Sequence, residues 1–329
     1  MIILILIVIL CLSYFFSTLS IVYARRAALT DQANERSSHQ GMALRGGGIV
    51  FILAFYLGMG GLYLSGSIAA DTYQVLLLCG SFAIGALGWF DDRVSLSPRF
   101  RLLVQLVATS LVVAFLPKLW FWCPVLLEKL ILTLAWVWFI NLFNFMDGAD
   151  GFAAQQGIFN GLSSYLLVGL TAVPLLILSS ALMGFLRVNR PKAKIFMGDI
   201  GSLFLGYLIG GYLLLFLAQH KISLIEALLL TSLFSFDATY TLLKRIYQKK
   251  PVLQAHREHW YQRYLICVNS HKKLFFLACI YNVCVLLCLY LSHYYMPYWG
   301  GYLAVAVLAV YTLFIKFKEQ AMPSQSVDA

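Results

Sequence analysis

GGGIVFILAFYLGMGGLYL, residues 46–64, contains no charged side chain. As a helix it would rise about 28 Å, at ~1.5 Å per residue, close to the ~30 Å hydrocarbon core of a bilayer. Residues 1–12 and 302–315 read the same way, and 126–186 is apolar with few breaks. The 329 residues are 61% hydrophobic and 12% charged, where soluble proteins average about 25% charged. A soluble multidomain protein is excluded. The sequence predicts an all-α fold, a polytopic transmembrane helical bundle forming one integral-membrane domain over residues 1–329. Hydropathy places eleven spans near 2–23, 46–65, 72–89, 101–116, 127–145, 156–173, 174–187, 201–218, 222–243, 274–292 and 298–316. Pro174 marks the turn between the sixth and seventh.

The placement of charge sets the orientation. A formal net charge of +10 would suggest nucleic acid for a soluble chain. In a membrane protein the loops that carry the charge matter more, and no nucleic-acid partner is expected. Of 24 Lys and Arg, 21 fall in alternate loops, within 25–45, 93–101, 187–194, 244–273 and 316–318; Lys118, Lys129 and Lys221 lie on the other side. The positive-inside rule makes the first side cytoplasmic, with the N-terminus periplasmic and the C-terminus cytoplasmic. Trp120, Trp122, Tyr298 and Trp299 then fall at the outer interface, which amphipathic rings prefer. The first apolar run lacks a basic leader and a small-residue cleavage site, so it reads as a retained helix. Seven cysteines without a CxxC pair argue against a disulfide framework or a zinc site. No internal repeat is visible.

Acids are few, so their positions are informative. Asp91 and Asp92 end the third span in GWFDDR, Asp147 and Asp150 follow the fifth in NLFNFMDGADG, Asp199 precedes the eighth in FMGDIGS, and Asp237 lies in the ninth. All six fall toward the cytoplasmic face, beside Asn141 and Asn144. A carboxylate near hydrocarbon is costly unless paired, hydrated or metal-bound. A helix-end ion pair would account for any one of them, but not for six on one face. Carboxylate oxygens suit Mg²⁺, with Mn²⁺ as a substitute, so Asp91, Asp92 and Asp199 are candidate metal ligands or proton-handling groups. Basic residues able to neutralise phosphates include Arg45, Arg99, Lys194, Lys249, Lys250, Arg257 and Arg263.

Three further motifs carry chemistry. In RGGG, residues 45–48, glycines would let backbone approach an anion. In GDIGS, residues 198–202, Ser202 is placed to cap the eighth helix, whose N-terminus favours a phosphate. HREH, residues 256–259, lies in the most basic loop without a further zinc ligand, so hydrogen bonding to phosphate or sugar is the better functional reading.

DDR at 91–93, NLFNFMDGADG at 141–151, FMGDIGS at 196–202 and HREH at 256–259 together resemble the polyprenyl-phosphate N-acetylhexosamine-1-phosphate transferases, in order and in topology. The resemblance implies a Mg²⁺-dependent transfer of a sugar-1-phosphate from a UDP-N-acetylhexosamine to undecaprenyl phosphate, releasing UMP. It further implies a bacterial inner-membrane enzyme whose active site faces the cytoplasm, with catalytic loops at 24–45, 90–100, 144–155, 187–200 and 244–273. A homodimer is compatible with it. By the same resemblance Asp199 is the metal ligand, and Asp91 or Asp92 orients or deprotonates the lipid phosphate. Asn144, Asp147 and Asp150 form the nucleotide- and metal-facing loop, with Asn141 and Arg45 as further substrate contacts. His256, Arg257 and His259 meet the diphosphate or sugar. Met42 and Leu44 stand where members often have prolines, and HREHWYQR departs from the HxHH pattern of GlcNAc-type members. That loop is closer to O-antigen-initiating members that use 6-deoxy sugars such as N-acetylfucosamine or N-acetylquinovosamine.

Two other classes compete. Buried carboxylates also mark transport paths, but a transporter should place polar groups near the midplane with access from both sides. The CDP-alcohol phosphotransferases share an Asp-Gly pair, but DGADGFAAQQG lacks the rest of their signature.

Overall fold

A computed structural model describes residues 1–26, 30–31, 43–44, 46–69, 71–251, 256–295 and 299–320. Among these, thirteen α-helices follow one another: α1 Ile2–Arg26, α2 Gly48–Leu64, α3 Thr72–Val94, α4 Pro98–Ala114, α5 Val125–Phe145, α6 Phe152–Val168, α7 Val173–Asn189, α8 Gly198–Ala218, α9 Leu224–Leu230, α10 Ser232–Tyr247, α11 Trp260–Val268, α12 His271–Tyr294 and α13 Gly300–Gln320. Six helical stretches are long and apolar enough to cross a membrane, and Gly48–Leu64 and Val305–Phe317 are apolar but shorter. The outer surface explains why a bilayer is needed. Leu53, Phe82, Leu111, Leu126, Leu287 and Leu313 are all exposed, an apolar coat that water would not tolerate but lipid tails solvate. This is a multi-pass membrane protein.

Among the described residues each predicted span falls on helix, with three departures. First, the third and eighth helices reach further toward the acids than hydropathy suggested: α3 runs to Val94 and α8 begins at Gly198. Second, the ninth span is two helices meeting at Thr231, and the Gln156 amide donates to the Leu230 carbonyl there (3.2 Å). A side chain that takes up a backbone group lets a helix break inside a bundle. Third, α11 forms inside the predicted basic loop. The turn marked by Pro174 is a short 3-10 segment, Gly169–Ala172, and the proline occupies the first turn of α7, where its missing N–H costs nothing.

α8 is the axis. Phe204, Tyr207, Leu208, Tyr212 and Phe216 are fully buried, as expected of a helix apolar on all sides. Its polar needs are met by neighbours: Trp136 Nε1 donates to the Tyr207 carbonyl (2.9 Å), and the Tyr73 hydroxyl donates to the Gly211 carbonyl (2.7 Å). Small residues bring the flanking helices close. At Gly88 of α3 an added Cβ would lie 2.4 Å from the Asp199 carbonyl oxygen, so only glycine lets α3 pass the first turn of α8.

Candidate active site

The start of α8 is where three segments meet. Gly198 has φ +75°, a conformation glycine adopts freely, and an added Cβ would lie 2.5 Å from the Asp92 carboxylate. Asp92, from the last turn of α3, accepts hydrogen bonds from the Asp199 N–H (3.0 Å) and the Ile200 N–H (3.3 Å). It thus caps α8 from another helix, a carboxylate satisfying orphan N–H groups at a positive helix end. Met197, at the N-cap position, makes no side-chain cap. Ser202 does not cap α8 as its sequence position suggested: its hydroxyl donates to the Gly198 carbonyl (3.3 Å) and accepts from Asn144 (2.9 Å). RGGG is also not an anion cradle at Gly47 and Gly48, whose N–H groups donate to the Phe196 and Met197 carbonyls (2.9 Å each). These glycines dock the start of α2 on the start of α8. Arg45 lies outside the described residues.

Around this turn the carboxylates converge. Asn144 donates to Asp199 Oδ1 (2.8 Å) as well as to Ser202, tying the end of α5 to α8. Asp91 accepts the Leu96 N–H (2.7 Å) and is paired with Arg101 of α4, whose guanidinium also lies 3.8 Å from Asp199 Oδ2. Asp147 follows α5. Burial, and then the charges of Asp199 and Asp92, hold its carboxyl well above the usual range. Asp91, Asp92 and Asp199 therefore meet at one turn, with Arg101 bridging two of them, and Asp147 lies near enough to feel the charges of Asp199 and Asp92.

The histidine loop arrives from the other side. His259 is buried at the N-cap of α11, its ring 4.9 Å from His256, 6.4 Å from Phe145 and 6.0 Å from Tyr261, centre to centre. The Tyr261 hydroxyl donates to the Phe145 carbonyl (3.0 Å), and a Cβ on Gly148 would strike it at 2.3 Å. Gly148 in the Asp-Gly pair is thus the space into which α11 docks, beside Asp147. Burial, followed by the nearby charges of His259 and Arg245, lowers the His256 pKa to about 4, so its ring is neutral near pH 7. Arg257 is exposed.

Two expected contacts are engaged elsewhere. Asn141 is one turn too deep: its amide donates to Gln105 of α4 (2.6 Å) and to the Val137 carbonyl (2.8 Å). Asp150 accepts the Lys192 and Ala193 N–H groups (2.9 and 3.2 Å) and sits 3.4 Å from His271, so it fastens the loop before α8 instead of facing the cluster. Arg101 and Tyr261 also contact this region, and neither carried a local motif that would have assigned it a role.

Among the described residues no three His, Cys, Asp or Glu side chains form a ready metal cage. The predicted trio of Asp91, Asp92 and Asp199 is not one, because Asp92 holds backbone and Asp91 holds Arg101. The donor chemistry nonetheless fits Mg²⁺, which is commonly held by one or two carboxylates with water and substrate phosphates completing the shell. Asp199 and Asp147 supply oxygens of that kind, in a group of four carboxylates with one bridging arginine.

The fold defines a multi-pass membrane protein with an acidic centre at one end of the bundle and a basic, histidine-bearing loop docked beside it. The glycosyl transferase family 4 profile matches residues 74–217, from within α3 to within α8, covering all four carboxylates but not the histidine loop. A probable undecaprenyl-phosphate N-acetylglucosaminyl 1-phosphate transferase of Bacillus subtilis is 33% identical over 266 residues, covering 76% of this chain and 73% of that protein. A phospho-N-acetylmuramoyl-pentapeptide-transferase of Chlamydia trachomatis is 31% identical over 200 residues, covering 50% and 58%. A decaprenyl-phosphate N-acetylglucosaminephosphotransferase of Mycobacterium leprae is 30% identical over 231 residues, covering 60% and 57%. The chain belongs to glycosyl transferase family 4, the polyprenyl-phosphate HexNAc-1-phosphate transferases. It is an enzyme that transfers a HexNAc-1-phosphate from a UDP-sugar to polyprenyl phosphate, and enzymes of this family generally need Mg²⁺.

Proposed function

We propose that the acceptor is undecaprenyl phosphate and that transfer runs at the cytoplasmic face of a bacterial inner membrane, starting an O-antigen or a related surface polysaccharide. The observation that carries the site assignment is the docking of α11 on the Asp147 loop, which joins the acids and the histidine loop into one centre. Asp199 and Asp147, with Asn144 orienting Asp199, would hold Mg²⁺, which would supply neutralisation of charge on the donor's phosphate oxygens. Arg101, held by Asp91, meets the acceptor phosphate, whose oxygen attacks the sugar-bearing phosphorus as the bond to UMP breaks. Asp92 keeps the first turn of α8, and so Asp199, in place. His256, Arg257 and His259 bind the diphosphate and sugar. Little covalent work is left to the protein, so positioning and electrostatics supply the rate.

For the donor we favour a 6-deoxy N-acetylhexosamine, N-acetylfucosamine or N-acetylquinovosamine. Support comes from the HREH pattern and from the exposed Phe145 ring against His259 beside it, an apolar surface that suits a methyl better than a hydroxyl at C6. UDP-N-acetylglucosamine is the second reading, favoured by the names of the Bacillus and Mycobacterium relatives. Purified protein should release UMP faster from UDP-N-acetylfucosamine or UDP-N-acetylquinovosamine than from UDP-N-acetylglucosamine. The reverse order assigns the GlcNAc donor.

Eleven spans with the N-terminus outside follow from the basic asymmetry. A reporter that fluoresces only in the cytoplasm should light up at the C-terminus and stay dark when fused after His220. Signal at His220 would overturn this topology.

A further inference from the structure

Asp237 is 2% exposed in α10 and takes no part in the acid cluster. Its Oδ1 accepts the Trp260 N–H (2.9 Å) and the Thr241 hydroxyl (3.2 Å), and its Oδ2 accepts the Tyr261 N–H (3.0 Å). Its Oδ1 also lies 3.4 Å from Nδ1 of His259, near enough for an ion pair though not aligned as a hydrogen bond. Two turns further along α10, Arg245 is paired with Glu258 and donates to the Pro251 carbonyl (2.8 Å). One helix face thus grips both ends of the 251–261 segment.

We propose that Asp237 is a positioning residue for the transfer, fixing the start of α11 and the ring of His259 so that its Nε2 faces the donor. A buried carboxylate that meets two N–H groups at a helix start is well satisfied. The same carboxylate beside Nδ1 favours the tautomer with the proton on that nitrogen, and the partner of one ring nitrogen decides what the other can do. Trp260 packs at a tilt against Phe236 and Tyr240 of α10 (ring centres 5.4 and 4.9 Å), so the loop is clamped by rings as well as by charge. The inference rests on the assignment of His259 to the donor made above.

The test is a double-mutant cycle in the full-length enzyme, with UMP affinity measured alongside donor turnover. Asp237→Asn keeps the volume and one acceptor but loses the charge beside His259. It should slow turnover at least tenfold and leave UMP affinity unchanged. In a His259→Ala background the same substitution should cost less than twofold, because residues acting as a unit are not additive. Thr241→Val, which removes one hydrogen bond to the carboxylate, should slow turnover a few-fold in the wild type and not at all in His259→Ala. It supplies the same comparison if Asp237→Asn does not fold. Equal losses from either substitution in both backgrounds would mean that Asp237 supports the fold alone, and would overturn the proposal. Wild-type turnover in Asp237→Asn would also overturn it while leaving the His259 assignment standing. Wild-type turnover in His259→Ala would instead remove that assignment, and the proposal with it.

Discussion

Replacing Asp199 with asparagine should lower transfer by at least two to three orders of magnitude while the protein still folds. A single electrostatic stabiliser of a transition state is worth about 10²–10³ in rate, or ~2.7–4 kcal/mol. In the proposed assignment Asp199 combines that role with holding a divalent cation, which an amide oxygen does poorly. The fold should survive because α8 is not capped by Asp199. Asp92 holds the backbone N–H groups of Asp199 and Ile200 through its own carboxylate, and the Asn side chain can still accept the hydrogen bond from Asn144. Losing one acid from a first helical turn costs only about 0.3–1 kcal/mol. The check is UMP release across a Mg²⁺ titration, with thermal unfolding in detergent measured in parallel. Near-wild-type activity at limiting Mg²⁺ would remove Asp199 from the metal site.

The second large effect concerns His259. Its change to alanine should slow donor turnover about ten- to a hundredfold, the worth of a hydrogen bond to a charged group at roughly 1.5–3 kcal/mol. UMP lacks the sugar and the second phosphate, so it should bind the variant as well as the wild type. The contrast is meaningful because α11 keeps its other anchors: Asp237 to the Trp260 and Tyr261 N–H groups, and the Tyr261 hydroxyl to the Phe145 carbonyl. An equal loss of UMP affinity and turnover would put the histidine loop at the nucleotide instead.

Transfer of a side chain into hydrocarbon depends on its own chemistry and that of its close neighbours in the chain. That is why the apolar runs located every long helix and why the acids could be read as a functional group at one end of the bundle. The same locality set the errors. Hydropathy ended the third span near residue 89, yet α3 continues to Val94, because Asp92 is stabilised by the N–H groups of α8, 107 residues away. Asn141 and Asn144 are three residues apart and look equivalent in the sequence. One lies a helical turn deeper and meets Gln105, while the other, at the end of α5, meets Asp199. Asp150 reads as a twin of Asp147, but the loop before α8 offers it two backbone donors.

The sequence by itself determined a membrane-embedded all-α chain, its acidic centre and its family motifs, because composition, helical period and motif spacing are local properties. Which carboxylate caps a helix, which pairs with Arg101, and which remains beside the histidine loop was decided only by tertiary structure. A carboxylate near hydrocarbon takes the donors that packing brings to it, and those donors come from distant segments.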